Sequence, residues 1–185
     1  LYLFLIPALS MRLWAEERKT GTIELLMTLP VSIGAAVLGK FLAAWLFTGI
    51  ALALTFPVWI TINYLGNADN PVILLSYIGS FLMAGAYLAI GACGSAFTRN
   101  QVIACVISVV ICLICVLAGF PMVMDVFQGW APQALINTIN SMSFLGHFES
   151  ITRGVIDLRD LIFFLSFIGC WLLANAIIVE INKSD

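Results

Sequence analysis

Val72-Ile-Leu-Leu-Ser-Tyr-Ile-Gly-Ser-Phe-Leu-Met-Ala-Gly-Ala-Tyr-Leu-Ala-Ile-Gly-Ala-Cys-Gly-Ser-Ala-Phe97 runs for 26 residues without an Asp, Glu, Lys or Arg. At 1.5 Å rise per residue, a helix of that length exceeds the ~30 Å hydrocarbon core of a bilayer. Its backbone polar groups can be satisfied there only inside a helix or a closed barrel. The breaker-rich Gly66-Asn-Ala-Asp-Asn-Pro71 stands before it. The same pattern recurs at about 33–64, interrupted by Pro57, and at about 102–120 and 161–181. Residues 1–13 are apolar but too short, and Leu1 stands where a Met would begin, so the expectation is the inner end of a span whose start is missing or lies upstream. Five spans are thus predicted, in a single all-α polytopic membrane helix bundle covering residues 1–185.

Composition agrees. The chain has 185 residues, 62% hydrophobic and 10% charged, with a mean hydropathy of +1.09. A soluble domain carries about 25% charged residues, so a water-soluble enzyme, a nucleic-acid binder and a disordered tail are all excluded. The opening stretch is no signal peptide, because its positive charge follows the apolar part. Placing the segment after Leu13 in the cytoplasm puts Arg12, Arg18, Lys19, Lys40, Arg99 and Lys183 inside, against Arg153 and Arg159 outside. That satisfies the positive-inside rule and predicts a cytoplasmic C-terminus. Glu149, Asp157 and Asp160 are expected to pair with the two outer arginines.

Two non-spanning stretches stand out. In Trp14–Pro30 a polar front, Glu16-Glu17-Arg18-Lys19, meets a break at Thr20-Gly21-Thr22. Glu24 then falls in the first turn of a further helix, where the dipole favours an anion. Ile23, Leu25, Leu26 and Leu29 supply an apolar side, and Pro30 stops continuation. The plainer alternative is a solvated loop, against which the uncovered leucines count. The second stretch, 122–160, is too apolar for a free loop. It predicts short outer helices, one from Pro132 to about Asn140 and one from near Ser143 to a cap at Gly154, dipping into the interface as re-entrant segments. A compact outer cap is the alternative.

Chemistry-bearing constellations are sparse. The polar residues placed deepest are uncharged: Thr48, Thr55, Thr61, Asn63, Ser76, Ser80, Ser108, Ser166 and Asn175 are expected to hydrogen-bond between helices. A proton- or sodium-driven carrier needs a deep ionisable group, so the energy source is expected elsewhere. Small residues at four-residue steps (Ser76, Ser80, Ala84; Gly85, Ala89, Cys93; Gly91, Ser95) allow close helix approach, for packing or for a dimer seam or pathway. Cys112-x-x-Cys115 has redox spacing in an apolar setting that favours plain packing. His147 has no partner histidine at metal-ligand spacing. No phosphate-binding loop or nucleophile elbow is present, so neither ATP hydrolysis nor other catalysis is expected in this chain.

Glu16-Glu-Arg-Lys-Thr-Gly-Thr-Ile-Glu-Leu-Leu-Met-Thr-Leu-Pro-Val-Ser32 resembles the cytoplasmic loop of the ABC-2 family of ATP-binding-cassette transporter permeases. Gly39-Lys40 looks like the start of that family's third span. The stretch His147–Asp160 is similar to the gliding-motility-associated branch. The resemblance implies a type V exporter-like fold in the bacterial inner membrane, with the five visible spans as the second to sixth. Residues 14–30 would form a coupling helix. Glu16, Glu17, Arg18, Thr20, Gly21, Thr22, Glu24, Leu25, Leu26, Leu29 and Pro30 would meet a separate cytoplasmic ATPase, which would carry ATP and Mg²⁺. The implied partners are that ATPase, a second permease copy or homologue, a periplasmic accessory subunit and the lipid bilayer. A membrane anchor that moves nothing is the alternative.

Overall fold

The computed structural model describes residues 2–22, 32–66, 69–120, 122–123, 125, 143–153 and 157–181. Their elements, in chain order, are α1 (Tyr2–Ser10), α2 (Arg12–Thr20), α3 (Ile33–Ala53), α4 (Phe56–Leu65), α5 (Asn70–Phe97), α6 (Gln101–Leu117), α7 (Phe144–Thr152) and α8 (Leu158–Ile181). The bundle is all-helical among the described residues. Among the described residues three stretches are long and apolar enough to cross a membrane: Ile33–Leu65, Asn70–Phe97 and Leu158–Ile181. Gln101–Leu117 is a shorter apolar helix of 17 residues, about 25 Å long.

Helix α5 is the hub, packing against α1, α2, α3, α6, α7 and α8. Its C-terminal half, from Ala84 to Ala96, is buried throughout. The small side chains explain why. A Cβ at Gly85 would lie 2.8 Å from Trp45 Nε1 of α3, one at Gly91 1.8 Å from Ser10 Oγ of α1, and one at Gly94 2.4 Å from Ser108 Oγ of α6. Three helices thus approach α5 at glycines where a larger residue would collide. Among the described residues the small stripe therefore serves packing within the chain. Trp45 completes the α3 contact by donating to Phe81 O (2.9 Å) and stacking on the Phe81 ring at 4.6 Å.

The span from Ile33 is in two parts. Pro57 sits in the first turn of α4 and has no N–H to continue the ladder. The chain turns at Leu54–Thr55, where the Thr55 hydroxyl meets Tyr77 OH at 2.8 Å. Asn70 Oδ1 accepts from Trp59 Nε1 and Asn63 Nδ2, tying α4 to the start of α5. Most other membrane hydroxyls bond within their own helix: Thr48 to Ala44 O, Ser76 to Val72 O, Ser108 to Ala104 O. That departs from the expected interhelical bonds, because a carbonyl one turn back is always in reach.

At the end of the bundle away from α2, α7 is wedged beside α5, α6 and α8. Ser143 caps it, accepting from Gly146 N (3.1 Å). Phe144 is fully buried, with Tyr87 of α5 at 5.5 Å and Phe167 of α8 at 4.7 Å between ring centroids. Further along, Ile151 and Phe148 close over Gly79. Helix α7 therefore runs antiparallel to α5, with its first residue deepest. The expected helix around 132–140, and Gly154, lie outside the described residues.

Asp160 corrects an expectation. It is 4% exposed, and its Oδ1 lies 2.5 Å from His147 Nδ1, whereas Arg153 reaches Glu149 at 3.9 Å in an exposed pair. Burial favours the short imidazole over a long arginine that keeps its head in water. His147 also stacks on Phe163 at 4.1 Å. Truncation in His147→Ala leaves the carboxylate buried and unpaired, a cost of about 1–3 kcal/mol. The detergent-solubilised variant should melt measurably lower than wild type, and Asp160→Asn, which keeps a bond to the ring, should lose less.

Candidate functional site

The polar residues singled out at 16–22 lie at the end of α2, and α2 continues α1 through a joint at Met11. Pro7 inside α1 frees only the carbonyl of Leu3, and the turn into the joint is closed by Met11 N–H donating to Pro7 O (2.9 Å). The Ser95 hydroxyl of α5 opens the next turn: it donates to Met11 O (2.9 Å) and accepts from Trp14 N (3.0 Å) and Ala15 N (2.9 Å). Met11 O and Ala15 N–H are the two groups an uninterrupted helix would join directly. A side chain inserted between them is an established cause of a helix bend. Gly91, one turn earlier on α5, receives Ser10, so Gly91 and Ser95 together seat the joint.

Two further contacts fix α2. Arg18 Nη1 donates to Ala96 O, and burial, with the like charge of Arg99 second, lowers its guanidinium pKa. Lys40 of α3 forms an ion pair with Glu17, donates to Leu13 O (2.9 Å) and lies 4.1 Å above the Trp14 ring. Trp14 is 1% exposed, so this cation covers a buried indole. One serine, one arginine and one lysine thereby clamp α2 to α5 and α3.

Helix α2 ends where the sequence places a break. Gly21 takes φ +72°, the left-handed conformation that glycine adopts without strain. Thr20 Oγ1 donates to Glu16 O (2.9 Å) and meets Thr22 Oγ1 at 3.0 Å. Glu16, Lys19, Thr20, Gly21 and Thr22 are exposed. Of the expected site, Glu17 and Arg18 are engaged within the chain, while Glu16, Thr20, Gly21 and Thr22 face outward. The stretch predicted as one loop helix therefore begins as the tail of the opening helix. Glu24, Leu25, Leu26, Leu29 and Pro30 lie outside the described residues. Ser95 and Lys40 were not expected at this site; the four-residue step Gly91–Ser95 and a lone basic residue inside an apolar run were the available signals. Among the described residues no group of three His, Cys, Asp or Glu is placed to hold a metal ion.

Comparison with known proteins bears on this arrangement. A family model described as ABC-2 family transporter protein matches residues 2–177. Heme exporter protein B of Paracoccus denitrificans (strain Pd 1222) is 36% identical over 87 residues, which is 47% of this chain and 38% of that protein. The chain thus matches well under half the length of that relative. No solved structure matches it.

Proposed function

Because the chain belongs to the ABC-2 family of transporter proteins, we propose that it is the permease subunit of an ATP-binding-cassette exporter in a bacterial inner membrane. A separate cytoplasmic ATPase, carrying ATP and Mg²⁺, docks on the exposed end of α2, and two permease copies or homologues form the pathway. The observation that carries this reading is the clamp on α2. A helix end that is exposed at Glu16 and Thr20–Thr22, yet tied through Ser95 and Arg18 to α5 and through Lys40 to α3, cannot move without moving the two helices that hold it. ATP-driven closure of the partner then becomes rigid-body tilting of the bundle.

The test is the Lys40–Glu17 pair. Its side chains are 21% and 30% exposed, so charge reversal in Lys40→Glu costs about 1–2 kcal/mol, a five- to thirty-fold effect. ATPase should still copurify with Lys40→Glu, but turnover stimulated by the permease should fall by that factor. The swap Lys40→Glu with Glu17→Lys should recover part of it. Wild-type stimulation in the single variant overturns the coupling role; an anchor that moves nothing would bind ATPase and never change its turnover. Orientation is tested separately: Thr20→Cys should resist a membrane-impermeant maleimide applied outside intact cells and react once the membrane is opened.

A further inference from the structure

Helices α1 and α3 both dock on α5 and leave a groove between them. It has two hollows. One, of about 430 Å³, runs from Tyr2 and Thr55 down to Leu9 and Phe47. The other, of about 360 Å³, begins at the same Leu9 and Phe47 and ends at Arg12, Glu17 and Lys40. The α3 wall is one helical face, Lys40, Ala44, Phe47, Ala51 in steps of three and four. The walls stay open: Leu5 is 57% and Phe47 59% exposed.

We propose that this groove holds one anionic phospholipid, with an acyl chain against Leu5, Phe47 and Ala51 and its phosphate at Arg12. Charge selects the occupant. Lys40 is taken by Glu17 and Leu13 O, whereas Arg12 is exposed and has no carboxylate partner among the described residues. Its planar fork matches two phosphate oxygens. Length selects it too. From Lys40 to Leu52 the α3 face extends about 18 Å, slightly more than half of a ~30 Å hydrocarbon core, the depth of one leaflet. A soluble anion would leave the apolar hollow empty, and a zwitterionic phospholipid would offer Arg12 the same phosphate but bring its own ammonium beside it, so that only an anionic headgroup leaves a net negative charge for the arginine. The occupant enters from the leaflet on the α2 side, and nothing in this proposal depends on the ATPase or the cargo.

Native mass spectrometry of the detergent-purified protein, titrated with palmitoyl-oleoyl phosphatidylglycerol or phosphatidylcholine, tests it. Wild type should retain one phosphatidylglycerol about five-fold more tightly than phosphatidylcholine, the increment of one interfacial arginine. Arg12→Gln should erase that preference while keeping the weaker, headgroup-independent binding. Ala51→Trp, which fills the apolar hollow, should lower retention of both lipids. Both positions are exposed, so gel-filtration profiles should match wild type. Equal retention of the two lipids by wild type, or indifference to both substitutions, overturns the proposal. So does a benzophenone photo-crosslinker at position 51 that traps a second permease copy, since the groove would then be a seam between subunits.

Discussion

Ser95→Leu should reduce permease-stimulated ATPase turnover to that of the ATPase alone, a loss of more than tenfold, while the spanning helices remain inserted. Ser95 is fully buried, and its hydroxyl lies within 3.0 Å of three backbone groups of the α1–α2 joint. Leucine at that point drives a branched side chain into the backbone of Met11–Ala15. Overpacking of this kind costs about 1–3 kcal/mol, and leaving buried polar groups unpaired adds about 1–3 kcal/mol more. The joint has a cheaper escape than absorbing both: α2 lifts off α5. Arg18 then loses Ala96 O, and motion at Thr20–Thr22 no longer reaches the bundle. Ser95→Ala discriminates between space and chemistry. It keeps the cavity, removes the hydroxyl and allows Ala15 N–H to bond Met11 O directly, straightening the joint. Its loss should be intermediate. Stimulation in Ser95→Leu within twofold of wild type would show that α2 is held by something other than this seat.

How much of this arrangement was legible in the sequence follows from which constraints act along the chain and which act between distant segments. Hydrocarbon thickness acts along the chain, so charge-free runs such as Val72–Phe97 announce themselves. Thr20-Gly21-Thr22 was legible as a break because a left-handed turn after a polar helix end calls for glycine. Ser143 as a helix start was legible for the same local reason. Pairings across the fold were not. Ser95 and Trp14 are 81 residues apart in sequence, and periodicity shows a small face without saying which helix meets it. Lys40 read as one of the basic residues on the inner side, and nothing in its own neighbourhood pointed to Glu17 or Trp14. Counting charges favoured arginine partners for Asp160. Burial decided for His147, and burial is a property of the packed bundle.

Phe144→Ala should destabilise the purified protein by about 3 kcal/mol and lower its melting temperature by roughly 6–12 °C. The residue is the deepest point of α7, ringed by Tyr87, Phe164 and Phe167 at centroid distances of 5.5, 6.0 and 4.7 Å. With Phe163 at 6.1 Å, four aromatic neighbours on two long helices cannot collapse into the space that a phenyl ring vacates, so most of the cavity persists. The low end of the Phe-to-Ala range applies, because the reference state of a membrane helix is lipid and the hydrophobic transfer term is largely absent. What is lost is dispersion contact and the anchor of α7. Beyond the C-terminal end of α6, only about 25 Å long, α7 fills the space between α5 and α8. Its release should loosen the His147–Asp160 contact as well. Phe144→Leu, which restores most of the volume without the aromatic edge contacts, should recover about half of the loss. An unchanged melting temperature in Phe144→Ala would mean that α7 rests on the bundle without being wedged into it.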